Sequence, residues 1–111
     1  MIKIKYTKSY DNCLKKLKKY PDVKDNILSI ISFVKNVEFT SELMNNPIAR
    51  MYGFERLKYQ NNEFYSFNPN KKGVIRLILT IDIDNNIIYL VYISFDHYKD
   101  FFKDKVIYYD E

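Results

Sequence analysis

The order of hydrophobic patterns along this chain predicts an α+β domain. It starts with a strand, continues through a helical hairpin packed on one face of a small antiparallel sheet, and ends in a short helix. Three observations carry that reading. Ile2-Lys3-Ile4-Lys5-Tyr6 alternates apolar and polar residues at strand period. From Tyr10 to Val34 apolar side chains recur at helical spacing, broken once by Pro21. From Phe54 onward, apolar runs of strand length alternate with Asn-rich turn signals. With 111 residues, the chain reads as a single domain, 1–111.

Each element has a local justification. Thr7 or Ser9 can cap a first helix running to about Tyr20, with Tyr10, Cys13, Leu14 and Leu17 as its apolar stripe. Pro21 ends that helix and can open the next, where Val23, Ile27, Ile30, Ile31 and Val34 keep helical spacing from Asp22 to Asn36. Two helices joined at a proline make an antiparallel hairpin. Val37 to Tyr52 reads as irregular, with Asn45-Asn46-Pro47 as a breaker and a helical turn at Ser41–Met44. Strands come next at Phe54–Lys58, Phe64–Phe67, Ile75–Ile81 and Ile87–Phe95, the last two joined by the Asp84-Asn85-Asn86 turn. Asp96 can cap a final helix through Phe101 and Phe102.

Composition narrows the function classes. Apolar residues make up 47% and aromatics 17%, so the chain can bury a core and is not a disordered segment. The net charge of +4 and pI near 9.0 are compatible with a polyanionic partner. Only three of the eighteen basic residues are arginines, Arg50, Arg56 and Arg76, which favours general phosphate attraction over bidentate base reading. A lone Cys13 excludes an intrachain disulfide and a cysteine-based zinc site. With no signal-peptide pattern and no bilayer-length apolar run, the expected location is the cytoplasm.

Hairpin parity gives a geometric expectation. With an even loop between the last two strands, Ile75, Leu77, Leu79 and Ile81 share a face with Ile88, Leu90 and Tyr92, under the helices. The opposite, open face then carries Arg76, Ile78 and Thr80 with Tyr89, Val91, Ile93, Phe95 and His97. Its apolar members are expected to form a protein interface.

Arg76 and His97, the only histidine, would thus meet near one end of that face, with Glu55 on the same sheet. Cleaving RNA through its own 2′-hydroxyl needs a base, a cation on the phosphorane and an acid at the 5′ oxygen. Glu, Arg and His can supply these without a metal or cofactor. Each also has an ordinary structural use. His97 can open a helix through backbone hydrogen bonds, and Glu55 can pair with Arg56 or Lys58. Arg76, flanked by Ile and Leu, needs either a structural carboxylate or a ligand phosphate. The lysines at 8, 15, 16, 18, 19 and 24 are a solvated helix face or contacts to a large RNA.

Phe54-Glu55-Arg56-Leu57-Lys58, then Phe64-Tyr65-Ser66-Phe67, then Arg76-Leu77-Ile78, then an acidic-Asn turn and an apolar strand ending at His97 together resemble the RelE/ParE superfamily of bacterial toxins. The likeness spans nearly the whole chain. It implies a RelE-like fold and a ribosome-dependent messenger RNA endoribonuclease, the toxin of a type II toxin–antitoxin pair. The implied partners are a cognate antitoxin, mRNA in the ribosomal A site and ribosomal RNA. Glu55 stands where the YoeB branch has its catalytic carboxylate, Arg76 matches the arginine on the scissile phosphate, and His97 matches the acid or base. Lys58, Tyr98 and Phe101 match substrate-binding positions, Tyr98 as in the YoeB branch and Phe101 as in the YafQ branch. Ser66-Phe67-Asn68 replaces the common Ser-Ile-Arg, so a second phosphate arginine is missing. The competing expectations are a ParE-like DNA gyrase inhibitor and a noncatalytic interaction module of the same fold.

Overall fold

A computed structural model describes residues 1–59, 62–70 and 73–103. The chain forms β1 (Lys3–Tyr6), α1 (Lys8–Leu14), a 3-10 segment (Lys15–Lys19), α2 (Pro21–Lys35), a second 3-10 segment (Thr40–Asn45), α3 (Pro47–Met51), β2 (Glu55–Tyr59), β3 (Asn62–Phe67), β4 (Arg76–Asp82), β5 (Ile87–Ser94) and α4 (Lys99–Lys103). The fold is α+β, with five strands in the order β1-β5-β4-β3-β2.

The sheet is mixed rather than wholly antiparallel. β2 to β5 run antiparallel to their neighbours, whereas β1 lies parallel to β5, with Lys3 opposite Ile87 and Tyr6 opposite Leu90. Residue alternation dictates that a segment is a strand and which face it buries. Strand direction depends on the long-range connection, here the helical hairpin and three further strands between β1 and β5.

Thr7 caps α1, accepting a hydrogen bond from the Tyr10 N–H, while its own hydroxyl reaches the Leu90 and Val91 carbonyls of β5. That buried hydroxyl fixes where the helix leaves the sheet. The first helix is shorter than its pattern predicts, because the last turns tighten to 3-10 geometry before Pro21. A residue preceding proline is disfavoured in the α region, and a 3-10 turn is a common way to end a helix. α2 buries Val23, Ile27, Ile30, Ile31 and Val34, the expected stripe. The stretch expected to be irregular holds a second 3-10 segment and α3, the latter capped by the Asn46 side chain with Pro47 in its first turn.

β4 and β5 close on a four-residue turn, since Asp82 pairs with Ile87. Asn86 sits there at φ 55°, a region Asn tolerates well. Its side chain donates to the Glu38 carbonyl and accepts from the Thr40 N–H, both at 2.8 Å, tying the hairpin to the chain after α2. Among the described residues, no helix is long and apolar enough to cross a membrane.

Candidate active site

Glu55, Ser66, Ile78 and Tyr92 form one row across β2, β3, β4 and β5. Alternation adds Leu57, Phe64 and Arg76 to the same face. The helical hairpin lies on the other face, where Phe95 meets Tyr20 at a ring-centroid distance of 5.7 Å.

The loop is even, yet parity does not carry Arg76 to His97. Between Ile78 and Leu79 the partner jumps from Tyr92 to Leu90, so Val91 is an extra residue on β5. Beyond this bulge Arg76 pairs with Ser94 and Leu77 with Ile93. Ile93 and Phe95 therefore turn to the helix side. The expected open apolar face is not open: Ile78, Val91 and Ile93 are fully buried. Ile78 lies under α4, whose Phe101 packs edge-on to Phe64 at 5.0 Å and against Tyr92 at 5.5 Å. A bulge inserts one unpaired residue and re-aims the side chains beyond it, which alternation alone cannot anticipate.

After Ser94 the chain makes a tight, strained turn. His97 and Tyr98 have φ values of 46° and 77°. Histidine visits this region more readily than most residues, but a tyrosine there is an outlier. Such a backbone persists only where its surroundings hold it. Ser94 and Asp100 do so here. The Ser94 hydroxyl donates to Asp100 and accepts from the Tyr98 N–H at 2.8 Å. Asp100 Oδ2 accepts from the Phe95 N–H at 2.7 Å, and the His97 N–H donates to the Val74 carbonyl at 2.9 Å.

This turn places the Tyr98 hydroxyl within hydrogen-bond reach of Glu55 and Ser66, the β2 and β3 members of the row across the sheet. It donates to Glu55 Oε1 at 3.0 Å. A phenol has one proton, so at 2.7 Å the Ser66 hydroxyl is the donor to Tyr98. Burial pushes the Tyr98 phenol above its ordinary 10.0. The Ser66 hydrogen bond pulls it down, Glu55 pushes it up by hydrogen bond and charge, and the Arg76 charge pulls it down. The net direction is upward, so Tyr98 keeps its proton at neutral pH and stays a donor to Glu55.

Arg76 is half-buried. Its Nη1 donates to the Gly73 and Ile75 carbonyls, each at 2.9 Å. Among the described residues no carboxylate forms an ion pair with it, and Arg56 pairs with Glu63 instead of Glu55. The His97 imidazole is exposed, with its ring 5.0 Å from that of Tyr98. Its backbone also has the structural role expected of a residue entering a helix, through Val74.

Glu55 thus bonds Tyr98, the His97 ring lies beside it and the Arg76 charge acts on it, by a route different from strand parity. Tyr98 itself is buried, as is Phe101. Lys58 lies in β2 opposite Glu63, and its side chain is outside the described residues. Reaction chemistry alone does not single out Ser66 or Asp100. A serine inside the aromatic run Phe64-Tyr65-Ser66-Phe67 is nonetheless a visible signal of a buried hydroxyl needing a partner. Asp100 gives no such signal, because its partners arise from the turn. Among the described residues, no group of three or more His, Cys, Asp and Glu side chains is placed to hold a metal ion.

Compared with protein-family models and with curated proteins, the sequence matches none of them.

Proposed function

We propose that this chain is a RelE-like endoribonuclease toxin that cleaves mRNA through the 2′-hydroxyl of the substrate and is silenced by a cognate antitoxin. The observation that carries this reading is the pair of hydrogen bonds that Tyr98 makes with Glu55 and Ser66, with the exposed His97 ring alongside and the Arg76 charge acting on the same phenol. Among the described residues Arg76 forms no ion pair and bonds through Nη1 alone, so its other guanidinium donors face no partner there and suit an anion.

In the reaction, Glu55 takes the proton of the 2′-hydroxyl as that oxygen attacks phosphorus. Arg76 stabilises the added charge on the phosphorane. The bond from phosphorus to the 5′ oxygen breaks, and His97 gives that oxygen a proton. The products are a 2′,3′-cyclic phosphate and a free 5′-hydroxyl. Tyr98 touches none of the reacting atoms in this scheme; it holds Glu55 in place. The basic helix face contributes contacts to ribosomal RNA, and the site of action is the cytoplasmic ribosome.

The test is a translating extract with added protein and primer-extension mapping of the message. Wild type should give discrete cuts, while His97→Gln and Glu55→Gln should give few or none. A loss in Glu55→Gln as large as that in His97→Gln would assign base and acid as stated, whereas a smaller one would make His97 the base. Growth arrest that persists in both variants with intact mRNA would overturn the nuclease reading and favour a ParE-like gyrase inhibitor.

A further inference from the structure

β1 ends opposite Leu90, so among the described residues the C-terminal part of β5 has no strand neighbour on that side. The 3-10 segment after α1 comes against it instead. Lys16, Lys19, Tyr20 and Phe95 line a concave site of about 240 Å³ there. Tyr20 is 44% exposed. Its plane is tilted 36° to Phe95, and the Lys16 ammonium stands 5.9 Å from the Phe95 ring centre.

We propose that this site is a stacking platform for an unpaired nucleotide, with the base on Tyr20 and Phe95 and its phosphate on Lys16 and Lys19. Three features select nucleic acid over an apolar partner. Among the described residues, the lining of the site carries two lysines and no acid. The Tyr20 ring is tilted against Phe95 and partly exposed. Aromatic faces beside cations are the sequence-tolerant way to hold a single strand. Phe95 is two residues from His97, so their Cα atoms lie within about 7 Å. Resting on the endoribonuclease reading above, the platform holds a nucleotide of the same strand on the helix side of the sheet, beside the turn that carries His97.

The experiment measures binding without cleavage, using a fluorescein-labelled single-stranded oligodeoxynucleotide that lacks the 2′ nucleophile. Tyr20→Ala should weaken binding about tenfold, the size expected for one stacked base. Lys16→Ala and Lys19→Ala should each lower the slope of log affinity against log salt by about 0.7. The chain has no tryptophan, so Tyr20→Trp supplies a single reporter whose emission the oligonucleotide should quench. Unchanged affinity in a folded Tyr20→Ala, or no quenching in Tyr20→Trp, overturns the platform. So does equal binding of an abasic strand, which would leave only charge attraction, or equal binding of an acidic peptide, which would point to a protein partner. Because the probe cannot be cut, failure of the nuclease reading leaves these outcomes intact. Messenger cleavage with Tyr20-independent binding would overturn the platform alone.

Discussion

Tyr10 and Tyr98 are both buried tyrosines, and they show how differently the two sides of this sheet treat a phenol. Tyr10 lies on α1 in the helical layer, where burial, then the neighbouring Tyr6 and Asp11, push it up to about 12. Everything acting on it disfavours the charged form. Tyr98 is also raised by burial, but a hydrogen bond from Ser66 and the charge of Arg76 work against that rise. The helical side tolerates a polar group; the other side opposes charges and donors around one. Mixed influences of that kind gather where chemistry is done, although structural networks produce them too.

Substitutions can break this contrast. Arg76→Ala should have the largest effect. By analogy with single electrostatic donors it should cost on the order of a hundredfold or more in cleavage rate. Its half-buried side chain bonds two carbonyls rather than a core partner, so the melting temperature should move little. Rates from quantified primer extension, alongside thermal melts, would check both. A variant that unfolds while the cleavage rate per folded molecule is unchanged would make Arg76 a structural residue.

Tyr98→Phe sharpens the comparison further. The ring contact with Phe102 can remain, but Glu55 Oε1 and the Ser66 hydroxyl lose their partner. Cleavage should fall about tenfold through misplacement of Glu55, with roughly 1 kcal/mol lost in stability. Acetate added to the assay should not restore the rate, since Glu55 itself is still present. A rate equal to wild type would remove Tyr98 from the site.

Legibility in the amino-acid order divides along the same line. Helix stripes, the Asn turn and the apolar faces near it are legible, because period and turn chemistry act locally. β1 is legible as a strand but not as a parallel neighbour of β5. The site side is legible in residue types and in little of its geometry. Val91 shifts the register, and two positive-φ residues then swing Tyr98 over the sheet. Neither event can be deduced from alternation, and both depend on partners distant in sequence, Ser66 and Glu55 among them. Places where local rules fail are expected at functional sites.

Gly53 tests whether the approach to Glu55 is as constrained as the turn at Tyr98. It has φ +70°, and a Cβ there would lie 2.8 Å from Asn68 Cβ. Gly53→Ala should therefore cost about 1–2 kcal/mol from the backbone alone, seen as a lower urea midpoint at unchanged slope. A neutral result would mean that the β2 entrance relaxes freely, and that Glu55 is held by Tyr98 alone.

The smallest effect at neutral pH, and the cleanest probe of the helical side, is Tyr10→Phe. In the unfolded chain its phenol ionises near the ordinary 10.0, whereas in the fold it keeps its proton to about 12. Between those values the unfolded state loses a proton that the folded state holds. The stabilising contribution is complete below pH 10 and disappears as pH rises through 12. Phenylalanine preserves the buried ring and removes the titration. Wild type and variant should have similar urea midpoints at pH 7, and the wild-type midpoint should fall more steeply from about pH 10 to 12. The difference between the two curves isolates this one phenol. Parallel curves across that interval would mean that Tyr10 is solvated in the fold, and the contrast between the two faces would lose its helical half.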